Sequence, residues 1–119
     1  MKTFTVVVYA VLGGLALLAG LVAYVMPGVA LPANQVTPLT AHLTRELSSA
    51  FIFIGLMFFW CLRHYPQRRP VHLALLVFTV FFAGAHWPDS FANRRELVSI
   101  LINAIPVALL GITAPYRQQ

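Results

Sequence analysis

His42 and Glu46 are four residues apart, with Arg45 between them and Ser49 three further on, all inside one long apolar stretch from Thr37 to Leu62. At the helical period of about 3.6 residues, residues spaced this way stand one above the other on a single face. An imidazole and a carboxylate on adjacent turns could carry a proton to and from a substrate. Their setting is what makes them notable. Glu46 lies eight residues past Pro38, about 12 Å along a helix. A charged group in the hydrocarbon region costs about 2.5–3.5 kcal/mol on insertion scales, so it needs polar neighbours or a task.

Two further stretches supply polar residues at helical spacing. His72, Thr79, Ala83 and His86 form one stripe, with Trp87 next to His86; Glu96, Ser99, Asn103 and Pro106 form another. Asn103 is seven residues past Glu96, about 10 Å in, a depth close to that of Glu46. Pro106 has no N–H for the Ile102 carbonyl, so that acceptor is left free near Asn103. The expectation is one outward-facing polar pocket lined by His42, Arg45, Glu46, His86, Ser99 and Asn103.

Four chemistries fit such a pocket. In the first, His42 and Glu46 shuttle a proton across a lipid-like substrate, Asn103 orients it, and Arg45, Ser49, His86, Trp87 and Ser99 contact it. In the second, His42, Glu46 and His86 hold Zn²⁺ or Cu²⁺ with a position left open, although no HExxH or paired-cysteine signature accompanies them. In the third, His72 and His86 with His42 ligate haem, which requires axial histidines at matched depth, and that match is not evident. In the fourth, Arg45 and Glu46 hold a bundle together and the histidines sit at its outer interface. The residue pattern names no cofactor.

The elements that would position these residues follow from composition. The chain has 119 residues, 60% hydrophobic and 9% charged, with a mean hydropathy of +0.81, outside the usual range of water-soluble domains. The expected fold is all-α: a single polytopic domain over 1–119, a bundle of four membrane helices at about 3–26, 38–63, 71–87 and 95–114. Pro27-Gly28 stops the first, Thr37 caps the second ahead of Pro38, and Pro70 and Pro88 bracket the third. Lys2 and its apolar run also resemble a cleaved leader, with Gly28-Val29-Ala30 as a cleavage site. The run from Phe4 to Met26 exceeds the core of about 7–15 residues typical of leaders, so a retained helix is expected. Gly13, Ala16, Gly20 and Ala23 give it a small-residue packing face. Cys61, the one cysteine, excludes an internal disulfide and reads as a packing residue.

The net charge of +5 is no nucleic-acid footprint, because the basic residues gather at segment ends. With Lys2, Arg63, Arg68, Arg69 and Arg117 inside, both termini are cytoplasmic, and Glu46, Asp89 and Glu96 lie toward the outer side. The expected location is the bacterial inner membrane. The expected partners are the lipid bilayer, a hydrophobic small molecule, and a membrane-protein partner or a second copy.

The order of features resembles a known group. A first helix ending in a Pro-rich loop, Arg45-Glu46-Leu47 leading to Phe53-Ile54-Gly55-Leu56, an Arg-rich turn, and Gly84-Ala85-His86-Trp87-Pro88-Asp89 look like the small uncharacterised DoxX-like four-helix membrane proteins of bacteria. That group implies the fold and lends no defined activity. His42, Glu46 and Asn103 also resemble the His-x-x-x-Glu pair and later Asn of the emopamil-binding sterol isomerase family, which would imply isomerisation by proton transfer. The overall expectation is a protein that binds a lipidic ligand or serves a membrane complex as an accessory subunit, with an isomerase-type enzyme and a metal-binding protein as alternatives.

Overall fold

The structure, a computed structural model, describes residues 2–88, 91 and 94–115. It is all-helical: α1 (Lys2–Val25), α2 (Pro38–Arg63), α3 (Arg69–Gly84) and α4 (Arg94–Thr113), with short 3₁₀ turns at Pro27–Val29, Ala33–Gln35 and Tyr65–Gln67. α1, α2 and α4 are long and apolar enough to cross a membrane; α3, at 16 residues, is shorter. Leu15, Leu18, Val25, Phe53, Phe81 and Ile112 stay exposed, the apolar exterior of a protein whose solvent is lipid. Asp89 and Arg117, two of the charges behind the expected topology, lie outside the described residues.

The starts and stops have local causes. Thr37 accepts a hydrogen bond from the Thr40 backbone N–H (3.1 Å) while the Thr40 hydroxyl accepts from the Thr37 N–H (2.8 Å). This reciprocal cap satisfies donors that the first turn of α2 leaves over. α3 ends at Gly84, three residues before the expected stop. The residue before a proline disfavours helical backbone, so Pro88 acts upstream, and the chain tightens into turns with His86 N–H donating to Ala83 O (3.3 Å) and Trp87 N–H to Gly84 O (3.0 Å). Pro106 sits inside α4 without ending it.

Close contacts divide the chain into two compact units, Tyr9–Arg63 and Met1–Val8 with His64–Gln119. In the first unit α1 and α2 touch through glycines. A Cβ at Gly20 would lie 2.9 Å from the Ile52 backbone nitrogen, and one at Gly55 would lie 2.8 Å from that of Leu17. Only hydrogen fits between backbones this close, so the small-residue face of α1 packs as expected. Tyr9 and Phe58, both buried, close one end of the seam with ring centroids 6.0 Å apart, and Cys61 is buried with them.

In the second unit α3 and α4 form an antiparallel hairpin. Its buried and half-buried positions are His72, Leu75, Thr79, Ala83 and His86 on α3 and the turn after it, and Glu96, Ser99, Asn103, Pro106, Leu110 and Thr113 on α4. Both sets follow the three-and-four spacing of a helix face, so the two polar stripes of the sequence are the two sides of one seam.

The glycine contact makes a sharp prediction. Gly55→Val should lower stability in detergent by about 1–3 kcal/mol, the usual cost of overpacking, while Gly14→Val, with nothing within 4 Å of the added Cβ, should leave it unchanged. Thermal unfolding followed by circular dichroism reads both.

Candidate functional site

The expected pocket divides between the two units. His42, Arg45, Glu46 and Ser49 belong to the first, and His86, Trp87, Ser99 and Asn103 to the second. Among the described residues no group of three His, Cys, Asp or Glu side chains is arranged to hold a metal ion, so the set His42, Glu46 and His86 has no geometric support.

On α2 the predicted pair does form. His42 Nε2 lies 3.2 Å from Glu46 Oε1, with side chains 67% and 63% exposed. Arg45 is exposed beside them. Ser49 donates its hydroxyl to the Arg45 carbonyl (3.0 Å). These four residues are a polar face on a membrane-length helix, exposed where an enclosed cleft was expected.

The second unit contains a pair that the sequence reading did not make. His86 Nδ1 lies 2.7 Å from Glu96 Oε2, and each side chain is 29% exposed. The carboxylate accepts, so Nδ1 carries the proton. Glu96 is in the first turn of α4, where a carboxylate also meets the positive end of the helix. The His86 ring packs edge-on to Phe82 at 6.1 Å. Asn103 Nδ2 donates to the Ser99 carbonyl (2.9 Å), one turn back on its own helix, and not to the freed Ile102 carbonyl. Trp87 is exposed and meets Phe91 edge to face at 5.7 Å.

The deepest polar group is one the sequence reading passed over as interfacial. His72 is fully buried, and its Nε2 lies 2.9 Å from the Leu110 carbonyl oxygen. That carbonyl is in the last turn of α4, where no backbone N–H four residues on returns to it, because Ala114 N–H donates to Gly111 O (3.4 Å). A carbonyl only accepts, so Nε2 is the donor and the ring caps a neighbouring helix. The signal lay in the register. His72 pairs with Leu110 and His86 with Glu96, which sets Thr79 level with Asn103 midway, and the two contacts are fourteen residues apart, about 21 Å.

A cavity of ≈ 210 Å³ opens in the first unit, between the outer half of α1, the loop after it and the start of α2. Ala19, Gly20, Ala23, Ala30, Leu47 and Phe51 line it, with Thr44 and Ser48. The two hydroxyls are already engaged: Thr44 Oγ1 donates to Thr40 O (2.8 Å) and Ser48 Oγ to Thr44 O (2.6 Å). The wall therefore presents hydrocarbon. The sequence marked Gly20 and Ala23 only as packing residues, and the step from contact to cavity depends on the loop that brings in Ala30.

No family model, curated protein or solved structure matches the chain. Neither resemblance drawn from the sequence gains support from these comparisons.

The His72 contact is testable. His72→Leu strands a buried carbonyl and should cost about 1–3 kcal/mol of stability. His72→Gln, which can still donate, should recover part of that loss in the same detergent unfolding measurement.

Proposed function

We propose that the protein binds the hydrocarbon chain of a lipidic ligand in the cavity between α1 and α2. The observation that carries this reading is the chemistry of the lining: small apolar residues, with both hydroxyls bonded to their own helix. A buried polar donor left waiting would select a polar ligand, and this wall has none to offer. At ≈ 210 Å³ the cavity is larger than the apolar sites of about 150 Å³ that stay dry and accept a benzene-sized guest.

The setting we infer is the bacterial inner membrane, with four spans and both termini cytoplasmic. Lys2, Arg63, Arg68 and Arg69 support that orientation. The course of α3 along α4 from Leu110 to Glu96 supports a fourth span, its shortness met by local thinning of the bilayer.

A second reading, accessory subunit of a membrane complex, draws on the exposed polar face of His42, Arg45, Glu46 and Ser49. In hydrocarbon that face is costly until a partner covers it. Isomerase-type proton transfer would use the same His42 and Glu46, yet a pair this exposed lacks the dry enclosure such chemistry draws on.

Filling the cavity tests the main reading. Ala23→Phe should weaken binding of a fluorescent polyene fatty acid at least tenfold, while Leu15→Phe, on the lipid-exposed side of α1, should leave it unchanged. Equal binding by both variants would sink the proposal. For the accessory role, Glu46→Gln should release a co-purifying membrane partner without changing fatty-acid binding. Orientation is read separately: Asn34→Cys should react with an impermeant thiol reagent on intact cells and Gln67→Cys should not, with Cys61 silent because it is buried.

A further inference from the structure

At the opposite end of the chain's spans, in the unit formed by Met1–Val8 and His64–Gln119, two cations share one aromatic ring. The Lys2 ammonium lies 5.3 Å from the Tyr65 ring centroid and the Arg68 guanidinium 3.9 Å from it. Arg68 is further fixed by an Nη1 hydrogen bond to the Tyr65 carbonyl (3.0 Å). Arg69 follows directly as the first residue of α3, whose first turn contains no acidic residue and whose start has no side-chain cap.

Three cations are thus gathered where electrostatics disfavours them. Each ring contact is within the range of a cation–π attraction of about 0.5–1 kcal/mol at exposed sites, but the positive charges repel one another, and the positive end of the α3 dipole adds to the repulsion. No carboxylate relieves it among the described residues: Glu46 pairs with His42, and Glu96 pairs with His86 at the far end of the α3–α4 hairpin. An anion at this position would offset all of these costs at once.

The position also says what kind of anion. Lys2 opens an apolar helix of 24 residues, so its ammonium lies where that helix leaves the hydrocarbon, at headgroup level. The Tyr65 contact brings the loop with Arg68 and Arg69 to the same level. Tyrosine at this boundary has its ring toward the acyl chains and its hydroxyl toward water. We propose that Lys2, Tyr65, Arg68 and Arg69 form a binding site for the phosphate of an anionic phospholipid, with Arg68 and Arg69 supplying the guanidinium donors and Tyr65 holding Lys2 and Arg68 in place. This site is separate from the α1–α2 cavity and does not depend on what that cavity binds.

The test uses the full chain purified in a neutral detergent. Phosphatidylglycerol should raise its melting temperature and remain bound in native mass spectrometry, and phosphatidylcholine at equal concentration should do neither. Near an anionic surface each basic residue is worth about fivefold in affinity, so Arg68→Gln with Arg69→Gln should weaken phosphatidylglycerol binding about 30-fold and Lys2→Gln about fivefold. Lys2→Gln keeps the test open if the double variant fails to fold. Three results would overturn the proposal: equal effects of the two lipids, a phosphatidylglycerol effect that survives in Lys2→Gln and in the folded double variant, or inorganic phosphate at matched concentration reproducing the full shift, which would make the ligand a free phosphate.

Discussion

A helix that ends away from water leaves carbonyls with nothing to accept, and α4 meets that constraint at Leu110. The buried His72 ring supplies the missing donor at 2.9 Å. Without it the seam between α3 and α4 would contain an unsatisfied acceptor, at a cost comparable to a sizeable part of a small protein's net stability. Much of the second unit follows from this contact. It fixes the register of two antiparallel helices, and that register brings His86 opposite Glu96 and leaves Thr79 and Asn103, each bonded to its own helix, level in the middle. Polar groups inside the seam are therefore satisfied in order along its length, as burial in a low-dielectric setting requires.

The first unit meets the same constraint by other means. α1 and α2 satisfy their backbones internally, so their seam needs no polar contact and rests on proximity. Gly20 and Gly55 let one backbone come against the other, which increases dispersion contacts where the hydrophobic effect gives no drive for helices to associate. Proximity has a geometric consequence. Where the helices separate toward the outer loop, the same small residues no longer fill the space between them, and the cavity lined by Gly20, Ala23 and Ala30 results. A packing device and a binding volume are thus the two ends of one seam.

Periodicity and composition were enough to read the helices and their faces. The Thr37 cap, the α1 packing face, buried Cys61 and both polar stripes could be placed from residue type and spacing alone. Helical spacing says which residues share a face, but it does not say which face meets which, and that gap explains the differences. His86 was matched to Glu46 by depth when its carboxylate is Glu96, ten residues on. His72 read as interfacial because its acceptor is a backbone carbonyl 38 residues away, invisible to any pattern of side chains. The length of α3 was overestimated because Pro88 acts through the residues before it.

The two histidine–carboxylate pairs show why exposure, more than residue type, separates structure from function in this chain. His86 and Glu96 are 2.7 Å apart and mostly covered, with α4's positive end and the Phe82 ring beside them, so their charges are compensated where they stand. His42 and Glu46 have the same chemistry at 3.2 Å but are about two-thirds exposed on a membrane-length helix. A pair within one turn of an exposed helix contributes only a few tenths of a kcal/mol, well below the cost of holding even one charge in hydrocarbon. The first pair accounts for itself within the hairpin. The second does not account for itself within α2, so the free energy that keeps it there has to come from outside the helix, and the face around Arg45 is where a covering surface would supply it.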